Sequence, residues 1–203
     1  QYMNIRNKSA LIISILIPLA VGSISALISG NMASYSALNK PAISPPGYIF
    51  PIVWTILYIL MGISAYIVYS SNSPNKAKAL LIYGIQLFFN FCWSILFFGF
   101  NLYLSAFIWL IALIIIIIIM IREFYTVIPL AAYLQVPYLI WCIFAAYLNL
   151  FIFIITDQYD HAHNPLKSWM ERPSLIVFVR TLFLIVIPRE SQTIFKQNRS
   201  HHM

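Results

Sequence analysis

Charge is what this chain has least of. Only 8% of its 203 residues are Asp, Glu, Lys or Arg, and 62% are hydrophobic, whereas a soluble domain carries about 25% charged residues. Before Asp157 the sole acidic residue is Glu123, and no histidine occurs before His161. Proton relays, ion pumps and voltage sensors keep ionisable groups along their pathways, so that class is excluded for the apolar part. A hydrolase is equally unsupported, because the serines there have no histidine base. The two cysteines, Cys92 and Cys142, fall in the middle of apolar runs and read as inert buried thiols. Neither His161 with His163 nor His201 with His202 has a third ligand at metal spacing, so no metal is expected.

What fills the space left by charge is a series of long apolar runs. Lipid offers backbone N–H and C=O groups no partner, so a membrane span is a helix or a closed barrel. The runs lack a barrel's alternation, and the expected class is all-α, an integral membrane bundle. Measured against the roughly 20 apolar residues that a span requires, five fit: residues 10–28, 48–69, 79–100, 102–121 and 126–155. The last is long enough to bend at Pro137 or project beyond the lipid. Residues 29–46 form a long break stiffened by Pro41, Pro45 and Pro46, and a loop of that length usually has a function.

Arg6, Lys8, Lys76, Lys78 and Arg122 fall on the N-terminal side of such a bundle, and only Lys40 lies in the long loop. The positive-inside rule puts the N-terminus in the cytoplasm and the loop outside. The net charge of +7 therefore needs no nucleic-acid partner. The first apolar run reads as a retained helix, too long for a cleavable signal.

Three runs place aromatic, amide and small residues three or four apart, on one helical face. They are Pro51, Trp54, Tyr58, Met61 and Ala65; Tyr83, Gln86, Asn90, Trp93 and Phe97; and Tyr138, Trp141, Ala145 and Asn149. Each stripe alone can be packing, since amides bind transmembrane helices together. Three matching stripes point to a shared apolar cavity with a few polar fixings, suited by its rings to a flat hydrophobic ligand. The Pro-rich loop would be its lid.

From about Pro18 to Thr156 the chain resembles the TspO family, bacterial relatives of the mitochondrial translocator protein. The resemblance is carried by YSALNKP (35–41) with Pro45 and Pro46, PIVWTILY (51–58) with Met61 and Gly62, QLFFNFCWS (86–94) with Phe97, Phe98 and Gly99, and PYLIW (137–141) with Phe144, Ala145, Leu148 and Asn149. It implies a five-helix bundle, homodimeric, that binds porphyrins and isoquinoline or benzodiazepine-type ligands beneath the first loop. The binding positions it implies are Tyr35, Trp54, Asn90, Trp141 and Ala145, with Tyr58, Trp93, Phe97 and Leu148 nearby. Some bacterial members degrade protoporphyrin IX in light, and there the resemblance assigns the chemistry to Trp54 and Trp141. No cofactor is required; porphyrin enters as ligand or substrate. The family's sterol pattern is absent, because no Lys or Arg follows Tyr147 before residue 158; tight cholesterol binding is not expected.

Residues 1–156 are thus expected to form the transmembrane domain, in a bacterial cytoplasmic membrane. Residues 157–203 extend beyond the family's usual end, either as an interfacial helix or as an appended or frame-altered segment. Three functions compete: a porphyrin receptor or sensor, a light-dependent porphyrin-degrading enzyme, and a tetrapyrrole transporter. The last lacks the internal repeat common in transporters.

Overall fold

The computed structural model describes residues 7–30 and 44–163, with side chains through residue 156. By its own contacts the chain divides into two compact units, Gln1–Phe153 and Ile154–Met203. The helical bundle lies in the first; of the second only the last turns of one helix are described. Tyr35, most of the expected lid and the tail after residue 163 lie outside the described residues.

Every described element is helical: α1 (Lys8–Ile28), α2 (Ile49–Tyr69), α3 (Lys76–Ser94) running into a π-helical turn (Ile95–Gly99), α4 (Tyr103–Val127), a short α5 (Pro129–Tyr133) and α6 (Val136–His163). Five stretches among the described residues are long and apolar enough to cross a membrane: Lys8–Ile28, Ile49–Tyr69, Lys76–Gly99, Tyr103–Val127 and Pro129–Thr156. At about 1.5 Å per residue, even the two of 21 residues cover the roughly 30 Å hydrocarbon core. The chain is an all-α integral membrane protein.

The helices alternate in direction, and side-chain contacts mark the two ends. At one end the Asn7 N–H donates to Tyr66 Oη at 3.4 Å, joining the start of α1 to the end of α2. At that end Lys78 Nζ also meets Glu123 Oε1 at 2.7 Å, joining the start of α3 to the end of α4. At the other end Ser29 Oγ donates to Ser94 Oγ at 3.2 Å. Asn149 Nδ2 there donates to the Tyr103 carbonyl at 2.8 Å, joining α6 to the start of α4. Lys8, Lys76, Lys78 and Arg122 therefore gather at the first end.

α1 begins with a side-chain cap, Asn7 Oδ1 accepting from the Ala10 N–H at 3.1 Å, which satisfies one of the first turn's free donors. Inside α1, Pro18 has no N–H to offer Ser14 four residues earlier. The Ser14 carbonyl lies instead against Gly62 of α2, where a Cβ would stand 2.6 Å from the oxygen and 2.5 Å from Ile15 Cα. Glycine is what lets the two backbones cross so closely.

Two boundaries differ from expectation. Arg122 and Glu123 do not end the fourth span; α4 continues to Val127. Pro129 stops it, because a residue before proline is forced out of the helical region, and Ile128 is extended at φ −151, ψ 117. The fifth span breaks between Tyr133 and Val136, not at Pro137, which sits in the first turn of α6 where a missing N–H costs nothing.

Candidate ligand cavity

The α3 stripe turns wholly inward. Gln86 is 0% and Asn90 2% exposed, and Tyr83, Trp93 and Phe97 are buried as well. An amide facing lipid would lose its hydrogen bonds, so these residues set the rotation of the helix. They are paired as a chain crossing three helices. Tyr58 Oη on α2 donates to Asn90 Oδ1 at 2.8 Å. Asn90 Nδ2 donates to Tyr138 Oη on α6 at 3.2 Å, and Tyr138 Oη donates to Gln86 Oε1 at 3.0 Å. Every bond runs in the same direction, from Tyr58 toward Gln86.

Aromatic rings surround this chain. Trp54 stacks on Tyr58, with centroids 5.4 Å apart at 30°, stands 6.3 Å from Trp93, and meets Tyr138 edge-on at 6.2 Å. Trp93 in turn stacks on Phe97 at 5.6 Å. Against this wall, between α1, α2 and α3, lies a cavity of about 160 Å³. Trp54, Tyr58, Asn90 and Trp93 line one side of it, and Gly22, Ser23 and Ala26 of α1 line the other. Tyr58 reaches across to α1, and a Cβ at Gly22 would overlap its ring.

A local irregularity shapes the upper wall. As α3 passes into the π-helical turn, the Ile95 N–H bonds the Cys92 carbonyl. The Phe91 carbonyl, its α-helical partner position, instead accepts from Ser25 Oγ of α1 at 2.8 Å. The turn swings Phe98 onto the cavity. Insertions of this kind concentrate at functional sites.

The expected site residues are not all on one surface. Trp54, Tyr58, Asn90 and Trp93 come together on the cavity. Phe97, Ala145 and Leu148 are buried but do not line it. Trp141 faces a separate apolar groove of about 380 Å³ between α2 and α6, lined also by Val53, Leu57, Pro137 and Ile140. There it packs edge-on against Phe50 at 5.7 Å. The sequence reading missed the contribution of α1. Its signal was available: Gly22 and Ala26 stand four apart, a small-residue pair that permits close helix approach.

Among the described residues no group of three potential metal ligands occurs, and Cys92 and Cys142 are free thiols. The cavity holds no nucleophile–base pair. What it offers is apolar surface, ring faces and one amide held in place by two tyrosines.

The sequence profile of the TspO/MBR family matches residues 14–155. Among curated proteins the chain is 36% identical over 151 residues to the "Tryptophan-rich protein TspO" of Archaeoglobus fulgidus, covering 73% of this chain and 98% of that one. It is 36% identical over 115 residues to the "Tryptophan-rich sensory protein" of Cereibacter sphaeroides, with 57% and 72% covered. To the "Translocator protein" of Sus scrofa it is 34% identical over 118 residues, with 57% and 70% covered. The chain belongs to the TspO/MBR family.

Proposed function

We propose that this protein is a membrane receptor or sensor that binds a flat, largely apolar small molecule, a porphyrin such as protoporphyrin IX, in the cavity against Trp54. Isoquinoline and benzodiazepine-type compounds would compete for the same place. The observation that carries this reading is the pairing of a Trp54–Tyr58–Trp93 ring wall with a buried, oriented Asn90 amide on one cavity. Ring faces attract a planar π-system, and the amide supplies a polar fixing for a carbonyl or carboxylate.

At about 160 Å³ the cavity is smaller than the roughly 300–1,000 Å³ of ordinary ligand sites, so binding moves a wall. α1 is the wall suited to move: of its residues only Pro18 and Ser25 are buried, and its tip of contact with Tyr58 is Gly22. Trp54 is the indole against which a ligand would lie. Trp141 lies on the separate groove, and this favours binding over light-driven degradation through both indoles. The basic residues gathered at one end support a cytoplasmic N-terminus; a cysteine at Ser73 should then be shielded from an impermeant thiol reagent in intact cells and one at Ser44 labelled.

The test is a dark titration with protoporphyrin IX in lipid nanodiscs, followed by tryptophan quenching. Ala26→Phe places a ring in the cavity from the α1 side and should abolish saturable quenching while the bundle stays folded. Wild-type binding by a folded Ala26→Phe protein would put the ligand elsewhere.

A further inference from the structure

The polar chain that orients Asn90 does not end at Gln86 Oε1. The amide's other half, Gln86 Nε2, is buried and bonds no protein group, and the same is true of Gln135 Nε2, Gln135 Oε1 and Tyr83 Oη. Gln86 and Gln135 are both 0% exposed and Tyr83 is 7%. Buried polar atoms in native proteins are almost always hydrogen-bonded, to protein or to ordered water. Four unpaired ones on neighbouring turns therefore call for a common partner.

Their order along the chain puts all three residues toward one end of the bundle. α3 and α6 run in the same direction, since the starts of both lie at the end marked by Lys78 and Glu123. The two helices touch where Tyr138 bonds Gln86. Tyr83 stands three residues before Gln86 on α3, one turn nearer that same end, and Gln135 occupies the turn that leads into α6, three residues before Tyr138, its carbonyl accepting from the Leu139 N–H at 3.1 Å. The residues that carry the unpaired atoms thus stand on the Lys78–Glu123 side of the Tyr138–Gln86 bond. They are outside the ligand cavity, none of whose lining residues is Tyr83, Gln86 or Gln135.

The donor and acceptor set selects the occupant. Two amide –NH₂ groups present donors, Gln135 Oε1 an acceptor, and Tyr83 Oη either. A cation would face two NH₂ groups, and an anion would be desolvated with no positive charge nearby. Water accepts from two donors and donates to two acceptors, and a buried water typically makes about three hydrogen bonds. We propose that Tyr83, Gln86 and Gln135 form an internal water-binding site within the membrane. It terminates the one-way chain Tyr58–Asn90–Tyr138–Gln86 with an acceptor for the Gln86 amide.

The probe is water itself. Protein labelled with ¹⁵N at glutamine side chains, in nanodiscs, is examined for cross-relaxation between side-chain NH₂ groups and water, with rotating-frame signs separating it from proton exchange. Gln86 and Gln135 should both show cross-peaks to water. Tyr83→Phe and, where it folds, Gln135→Leu should each weaken the Gln86 peak. Gln135→Leu should also lower Tm by a few degrees, because it strands the Gln86 amide. Absence of the Gln86 and Gln135 cross-peaks would overturn the proposal. So would a Gln86 peak unchanged in Tyr83→Phe, or a Tm raised by Gln135→Leu, the result for a dry site relieved of two unpaired atoms.

Discussion

α3 and α4 lie side by side, and each buries one stripe three or four residues apart. α4 buries Ala106, Leu110, Leu113, Ile117, Met120 and Phe124, in the most apolar span of the bundle, with mean hydropathy 3.2. α3, with mean hydropathy 1.8, buries Tyr83, Gln86, Leu87, Asn90 and Trp93. The geometry is the same and the chemistry is not. Lipid tails are as apolar as leucine, so an apolar side chain gains little by choosing the interior over the bilayer. An amide or a ring hydroxyl gains its hydrogen bonds only inside. α4 is accordingly a packing surface, while α3 carries the fixings of a site.

The largest expected effect comes from the scaffold. Leu113→Ala removes a fully buried side chain and should lower stability by about 2 kcal/mol, the packing part of a core truncation. Ile115→Ala, on the lipid face at 54% exposure, should be nearly silent; equal effects on thermal unfolding in nanodiscs would mean that α4 has no inner face.

Asn90→Leu comes next. It strands the Tyr58 hydroxyl and removes the donor to Tyr138, at about 1–2 kcal/mol, since bonds inside a membrane bundle are individually modest. A stabilised Asn90→Leu protein in the same unfolding assay would show that the α3 amides are tolerated and not needed.

The seam between the two helices gives smaller numbers. Trp109 Nε1 donates to the Phe89 carbonyl at 2.8 Å and its ring stacks on Phe89 at 4.4 Å. Trp109→Phe keeps the ring and should cost about 1 kcal/mol for the bond, read as a Tm decrease. Lys78 is 64% exposed in its pair with Glu123, so Glu123→Gln should change stability by no more than about 0.5 kcal/mol, and less at high salt.

The same contrast decides what the sequence could reveal. The inward face of α3 was legible because Gln86 and Asn90 have one energetically sensible direction. That of α4 was not, because its isoleucines are equally content on either side. The end of α4 was misplaced because Arg122 and Glu123 look like a boundary, whereas the backbone is stopped by Pro129. Helical spacing put Trp54 with Tyr58 on one face of α2 and Asn90 with Trp93 on one face of α3, and the two faces meet on one cavity. Trp141 shares that spacing on α6, yet faces the groove toward α2, a difference of a fraction of a turn that periodicity does not resolve. The π-helical turn at Ile95–Gly99 has no sequence signature, and only Gly22 and Ala26 hinted that α1 would supply the cavity's other wall.

The measurement that bears most directly on this division is protoporphyrin IX affinity in the dark for wild type, Asn90→Leu and Leu113→Ala in the same nanodiscs. Leu113→Ala should bind like wild type despite its lower Tm. Asn90→Leu should weaken binding roughly tenfold or more, since about 1.4 kcal/mol is a factor of ten. Affinity that follows Tm across the three proteins, or that is unchanged in Asn90→Leu, would contradict this division.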